Sequence, residues 1–239
     1  MTSLIITFVL GLFFIAGALV VKIVKDKERL EDFSVAAALG ALVFISACDI
    51  VPEIFEIWSG TKLILAALFV LIGVGLLMGL DHFVPDHDSD ELEENMVHIG
   101  VMTVMALSLH NIVEGMSVYS ISSTSLSGGI SLAVGIGLHN IPMGMLIYST
   151  LDKEKVLKKR IVLSCAAFST FVGGLLMYLL GEFMNESIEC ALICVALGMV
   201  IYIVFFELLP GIIHAKKWAR SAVGFVIGAA IVFLSMIFA

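Results

Sequence analysis

Eight mostly apolar stretches follow one another along this chain, and each is long enough to cross a lipid bilayer as a helix. A crossing helix needs roughly 20 apolar residues, because each residue adds only about 1.5 Å to its length. The pattern predicts an all-α, polytopic membrane protein with eight transmembrane helices. The predicted spans are residues 3–21, 34–57, 63–80, 97–120, 127–150, 161–181, 188–209 and 219–238.

The composition supports a chain whose main solvent is lipid. Apolar residues make up 60% of the sequence and charged residues only 14%, with a mean hydropathy of +1.11. The net charge of −8 argues against a nucleic-acid partner. No long polar region lies outside the apolar stretches, so we expect residues 1–239 to form a single transmembrane domain.

The basic residues predict the orientation in the membrane. Twelve of the 13 Lys and Arg residues lie in the connections after the first, fifth and seventh spans, and Lys62 alone lies in the others. Short connections rich in Lys and Arg stay in the cytoplasm. We therefore expect both termini outside, in a bacterial inner (plasma) membrane.

The connection between the third and fourth spans has a different character. Residues 81–96 hold seven acids and two histidines but no Lys or Arg. One interpretation is a solvated, partly disordered cytoplasmic loop. The other is a weak metal-collecting loop, because carboxylates and imidazoles are ligands that divalent cations accept. The candidate ligands in this loop are His82, Asp86, His87 and Asp88.

Two sequence repeats predict internal symmetry. LHNIVEGMSVYS at 109–120 and LHNIPMGMLIYS at 138–149 share eight of twelve residues, and they lie on spans of opposite direction. ALGALVFISACDIVPEI from Ala38 aligns without a gap with ALGMVIYIVFFELLPGI from Ala196, although a chance match remains an alternative there. Inverted repeats with polar residues at the midplane are typical of secondary transporters. We expect the spans to be arranged as 3+2+3.

The first repeat places metal-ligating groups near the middle of the bilayer. His110 and Glu114 are four residues apart and project from one helix face, and His139 and Met143 do the same on the next span. An unpaired carboxylate in lipid is costly, and no Lys or Arg lies at this depth. A divalent metal would supply the missing positive charge. Two imidazoles, a carboxylate and a thioether suit zinc or another late first-row ion.

Other residues of these two spans leave alternatives open. Asn111 and Asn140 adjoin the histidines, and they either ligate the metal or bridge helices by hydrogen bonds. Pro142 removes one backbone hydrogen bond, so we expect it, with Gly115 and Gly144, to loosen the helices locally.

These motifs resemble those of a known family. HNIVEG and HNIPMG are similar to the HN-x-x-EG and HNIPEG signatures of the ZIP (Zrt/Irt-like) divalent metal transporters, and DIVPE and FELLPG resemble that family's HLLPE and HELIPE stretches. The resemblance implies a transporter rather than an enzyme, with zinc, iron, manganese or cadmium as substrate and no prosthetic group. It further implies uptake into the cytoplasm by a homodimer. Helices 1, 4, 5 and 6 would move like an elevator against helices 2, 3, 7 and 8.

The departures from the family predict a reduced site. Met143 stands where members usually carry Glu, and residues 161–181 of the sixth span hold no charge where another Glu is common. Those two carboxylates help to build a second metal site in the family. Their absence predicts a single ion, bound by His110, Glu114 and His139 and perhaps a thioether.

Three acids on other spans are candidates for the path of the ion. Asp49 and Glu53 lie in the outer half of the second span and are expected to gather the metal, while Glu207 near the inner end of the seventh span is expected to help release it. In the alternative interpretation these are interfacial helix-end residues beside prolines.

Three other functions are consistent with parts of the sequence. A metal-binding membrane sensor or scaffold would use the same ligands without flux. A membrane cytochrome would use His110 and His139 as axial haem ligands, but Glu114 would crowd the macrocycle. An intramembrane hydrolase lacks support, because the chain has neither an HExxH motif nor a nucleophile elbow.

Overall fold

The structure is a computed structural model that describes residues 1–82, 92–151, 156–215 and 217–237, with the backbone alone at 27, 28, 92–97, 214 and 215. Within this part of the chain, every regular element is helical, and eight helices are long and apolar enough to span a membrane. This confirms the predicted all-α fold with eight spans. Helices 1 to 8 are Thr2–Ile23, Arg29–Ile57, Lys62–Asp81, His98–Thr124, Leu126–Thr150, Val156–Phe183, Glu186–Ile213 and Trp218–Ser235.

Polar residues fix where several helices begin. The Asp26 side chain accepts a hydrogen bond from the backbone N–H of Arg29 at the start of helix 2, and Ser125 caps helix 5 through the N–H of Gly128. Asn185 caps helix 7 in the same way. Such caps satisfy backbone donors that have no partner within the helix. They keep the connections short, so that successive helices alternate in direction.

Helices 2 and 7 each change to a wider π-helix at an equivalent point of the second repeat. The π-helical segments are Ser46–Ile50 and Ile203–Leu208, and a proline follows two residues after each. Proline has no N–H, so the carbonyl four residues before it loses its α-helical donor. Each π-helix includes the acid that the repeat aligns, and π-helical turns occur frequently at functional sites.

Helices 1, 4, 5 and 6 pack into one unit, here called the first body, through very close backbone contacts. Gly11 of helix 1 and Gly115 of helix 4 both lie against helix 6, and Gly144 of helix 5 lies against helix 1. A Cβ atom at Gly115 would stand 1.9 Å from the carbonyl oxygen of Thr170. The expectation that Gly115 and Gly144 loosen their helices is therefore wrong, because they are the points of closest packing. Helix 5 also continues through Pro142.

Helices 2, 3, 7 and 8 form the second body. Gly40 of helix 2 lies against the backbone of helix 8, and Gly73 of helix 3 against that of helix 7. Between the two bodies, by contrast, the described glycines approach less closely. A Cβ atom at Gly211 of helix 7 would lie 3.6 Å from the Ile99 side chain of helix 4, which is an ordinary van der Waals distance.

The two ends of the bundle differ in charge. The end with the connections after helices 1, 5 and 7 is called the basic end, and the opposite one the cavity end. At the basic end, the Lys217 Nζ atom lies 2.8 Å from an Asp32 carboxylate oxygen, joining helices 8 and 2. The ammonium groups of Lys22 and Lys159 lie 5.4 and 5.3 Å from the centre of the Tyr148 ring, joining helices 1, 6 and 5.

Candidate metal site

Three predicted ligands meet at one point between helices 4 and 5. The Nε2 atom of His110 lies 3.0 Å from Oε1 of Glu114, and the Nε2 atom of His139 lies 2.9 Å from the same oxygen. The three donor atoms lie within 4.8 Å of one another, and all three side chains are about nine-tenths buried. This is a compact nitrogen and oxygen donor set of the kind that binds zinc.

The helical period and the repeat together position this set. His110 and Glu114 share a face because they are one turn apart, and His139 occupies on helix 5 the position that His110 occupies on helix 4. The second carboxylate oxygen of Glu114, Oε2, is buried and has no hydrogen-bond partner among the described residues. A buried carboxylate oxygen without a partner is costly, and a bound cation would satisfy it.

A cavity of about 470 Å³ connects this trio to the cavity end of the bundle. Asp49, Glu53 and Glu56 of helix 2 line it and are exposed, and the three ligands line it at its buried side. No Lys or Arg is among its lining residues within the described chain. The negative lining favours cations along the whole depth of the cavity.

The structure separates the other predicted ligands from this cavity. Met143 is 2% exposed and packs in the apolar core, where it lines a void of about 10 Å³ together with His110, His139 and Asn140. Asn111 is turned toward helix 6, and its Nδ2 atom donates to the Ala166 carbonyl oxygen at 3.3 Å. This contact realises the helix-bridging alternative for Asn111.

The two asparagines still have polar atoms available. Oδ1 of Asn111 and Nδ2 of Asn140 are buried and make no hydrogen bond within the described part of the chain. Both therefore stay candidate ligands by position, whereas the trio converges by geometry.

A second cluster lies near the basic end, and the sequence prediction named only one of its members. His98 Nε2 lies 2.8 Å from an Asp81 carboxylate oxygen and 3.6 Å from one of Glu207. The Tyr202 hydroxyl donates to the other Asp81 oxygen at 2.7 Å. Asp81 ends helix 3, His98 begins helix 4 and Glu207 lies in the π-helix of helix 7, so only folding brings them together. The available signal was a histidine and an acid at adjoining span ends.

The predicted loop ligands fall mainly outside the described residues. His82 is exposed just after helix 3, and Asp86, His87 and Asp88 lie outside the described chain.

Comparison with known proteins identifies the family. The model of the ZIP zinc transporters matches residues 85–236, which is more than half of the chain. The chain belongs to the ZIP family. It is 26% identical over 235 residues to the zinc transporter ZupT of Escherichia fergusonii, covering 94% of this chain and 91% of that protein. It is 27% identical to the ZupT of Escherichia coli O7:K1 strain IAI39, over 78% of this chain and 76% of that protein.

A further ZupT, from Enterobacter sp. strain 638, is 27% identical over 89% of this chain and 87% of its own length. These low identities are consistent with a divergent ZIP member. ZIP proteins are metal transporters rather than enzymes, and the metal is their substrate. This ZIP protein is accordingly a multi-pass integral membrane protein that transports a divalent metal ion.

Proposed function

We propose that this ZIP protein carries zinc into the cytoplasm through a single midplane site formed by His110, Glu114 and His139. The convergence of both imidazoles on one buried carboxylate oxygen is the observation that carries the proposal. The names of the ZupT relatives support zinc as the substrate. Iron, manganese and cadmium are the competing ions to be compared.

The proposed direction follows from the distribution of charge. The basic end carries twelve of the 13 Lys and Arg residues in its connections, so it faces the cytoplasm of the bacterial inner membrane, with both termini outside. The cavity then opens to the outside. At the basic end, the Asp81–His98–Glu207 cluster closes the path, so the structure corresponds to an outward-open state.

In this orientation Asp49 and Glu53 collect the ion. Their carboxylates line the cavity between its opening and the buried ligands. They raise the local cation concentration without binding so tightly that the ion stays there. Glu207 lies on the far side of the trio, 9% exposed, and would line the release path once the inner end opens. Residues 81–96 would collect metal weakly at the same end.

The donors around the trio support one ion at a time. Helix 6 supplies the Ala166 carbonyl where a carboxylate could approach Asn111, and Met143 is packed in apolar surroundings. Glu114 is the sole carboxylate of helices 4, 5 and 6 near this depth, since the described and the remaining residues of these spans hold no other midplane acid. A second divalent ion would add charge that nothing nearby compensates.

The packing supports movement of the first body against the second. Both histidines and Glu114 belong to the first body, whose helices interlock through glycines. The boundary between the bodies lacks such interlocking contacts within the described residues, so sliding costs little steric overlap. An elevator movement would carry the trio from the cavity end toward the basic end while Asp49, Glu53 and Glu207 stay with the second body.

A homodimer is proposed through helix 3. Among the eight spans helix 3 is the least buried, and no described atom lies within 4 Å of a Cβ atom built at Gly75 or Gly79. Small residues four apart allow membrane helices to approach closely. Gly75→Leu and Gly79→Leu should then shift the purified protein from dimer to monomer in native mass spectrometry, whereas Leu71→Ile on the same helix should not.

Metal uptake into proteoliposomes tests the function. Purified protein should accumulate radioactive zinc, and unlabelled cadmium, manganese and iron in competition rank the substrates. A Glu114→Gln variant is the matched control for leak and surface adsorption. Binding without accumulation would contradict transport and would favour the metal-sensor alternative. A haem absorption band in the purified protein would favour the cytochrome.

A further inference from the structure

We propose that the Asp81–His98–Glu207 cluster is an inhibitory metal site, at which a divalent cation from the cytoplasm holds the transporter closed on its inner side. The inference rests on the proposed transport function and orientation. It assigns to the basic end a regulatory role that is separate from carrying the substrate.

The cluster has the donors and the charge that a divalent cation requires. One imidazole and two carboxylates offer donor atoms within 4.8 Å of one another. Ligand atoms of a tetrahedral zinc site stand about 2 Å from the ion and thus roughly 3.3 Å apart, so small side-chain rotations suffice. The carboxylates of Asp81 and Glu207 together balance the two charges of the ion. The midplane trio, with Glu114 alone, balances only one.

Tyr202 fixes part of this geometry in advance. Its hydroxyl donates to Oδ2 of Asp81 at 2.7 Å, while Oδ1 of the same carboxylate faces Nε2 of His98 at 2.8 Å. Tyr202 also stacks on the Phe206 ring, with the ring centres 4.9 Å apart. The Asp81 side chain is therefore oriented with one oxygen toward the cluster, and such support of a ligand raises metal affinity.

The cluster is accessible from the basic end. The Asp81 side chain is 27% exposed, whereas those of His98 and Glu207 are 12% and 9% exposed. Asp81 ends helix 3 at that face of the bundle. A cation can therefore arrive from the cytoplasm without passing the midplane trio.

A cation bound there would connect the two bodies. His98 belongs to helix 4 of the first body, and Asp81 and Glu207 belong to helices 3 and 7 of the second. Helices 4 and 7 already touch at this level, where Ile99 faces Gly211. Opening the inner end requires His98 to leave the two carboxylates. A metal bonded to all three opposes that movement, so cytoplasmic metal would stabilise the outward-open state.

Right-side-out membrane vesicles with buffered internal zinc test this inhibition. The initial rate of radioactive zinc uptake is measured as internal free zinc is raised. A simple carrier shows unchanged or faster exchange, because internal metal speeds the return of its site. We expect the wild-type rate instead to fall about fivefold or more, the lower range of coupling between two sites. His98→Gln and Asp81→Asn should retain uptake at zero internal zinc and lose the inhibition.

His82→Gln is the matched control, because it changes the same residue type one position after Asp81. It should remain as inhibited as the wild type. Inhibition that persists in His98→Gln and Asp81→Asn, or that disappears equally in His82→Gln, overturns the proposed site. A wild-type rate that internal zinc leaves unchanged overturns the inhibitory role.

Zinc binding to the solubilised full-length protein separates this proposal from the transport proposal. In a background with His82 and His87 replaced by Gln, His98→Gln should lose one bound ion per protomer that His110→Ala retains. If both variants bind the same number of ions as the background, the site is overturned. If the vesicles show no uptake at any internal concentration while His98→Gln still loses its ion, the transport proposal and the inhibitory role fail, and the metal site itself stands.

Discussion

Nε2 of His139 on helix 5 lies 2.9 Å from Oε1 of Glu114 on helix 4. The same oxygen lies 3.0 Å from Nε2 of His110, so two imidazoles from an inverted repeat meet at a single carboxylate atom. An ion inserted at this meeting point replaces two N–H contacts by two nitrogen ligands with little rearrangement. The imidazoles must then present lone pairs rather than protons, so metal binding should weaken in acid.

Removal of any member of the trio should weaken metal binding. His110→Ala, Glu114→Ala and His139→Ala each delete one donor, and we expect the dissociation constant for zinc to rise at least about tenfold, as even changes around metal ligands do. Isothermal titration calorimetry on folded protein measures this, with the exposed Glu182→Ala as control. Unchanged affinity in all three variants would reject the site.

The helix 2 acids should act on capture of the ion. Asp49→Asn removes one charge from the cavity lining, so the half-saturating external zinc concentration should rise about threefold at low salt and less at high salt, where charges are screened. The maximum rate should change less. Glu186→Gln, an exposed acid outside the cavity lining, serves as control in the same uptake measurement. A pure rate effect with unaltered saturation would argue against a role in capture.

The midplane should hold one ion per protomer. Anomalous diffraction from metal-soaked crystals should show a single peak among His110, Glu114 and His139. Two peaks about 4 Å apart, the spacing of bimetallic sites, would refute the single-ion site. Met143→Glu adds a carboxylate beside the two histidines, so it should add capacity for a second ion or favour manganese over cadmium. Met143→Leu is the control for packing.

The close backbone contacts of the first body should tolerate no side chain. Gly115→Ala would place a Cβ atom 1.9 Å from the Thr170 carbonyl oxygen, so we expect a loss of about 1–3 kcal/mol from the free energy of unfolding. Gly211→Ala, which meets only an ordinary contact at 3.6 Å, should change stability within about 0.5 kcal/mol. Thermal unfolding in detergent compares the two, and equal melting temperatures would contradict the packing argument.

The spans and the trio followed from sequence because they depend on local spacing. Apolar length fixes a crossing helix, and the separation of four between His110 and Glu114 fixes a shared face. The position of His139 followed from the repeat. The helix ends moved by a few residues, since polar residues such as those before 34 continue the helix beyond the apolar stretch.

What the sequence could not predict depends on contacts between distant segments. His98 joins Asp81 and Glu207 only when helices 3, 4 and 7 meet at the basic end. Asn111 was assigned two possible roles because its carbonyl partner, Ala166, lies 55 residues away. The mistaken role of Gly115 has the same origin, since a glycine that admits a neighbouring backbone cannot be distinguished by sequence from one that frees its own helix.

The single midplane carboxylate has an electrical consequence. A divalent ion held by Glu114 and two neutral imidazoles leaves the loaded site with one net positive charge. If that site moves with the first body, the membrane potential acts on it, at about 2.3 kcal/mol for each 100 mV that one charge crosses. A negative cytoplasm would then pull the loaded site inward. A second carboxylate at position 143 would neutralise the load, and the same movement would no longer respond to voltage.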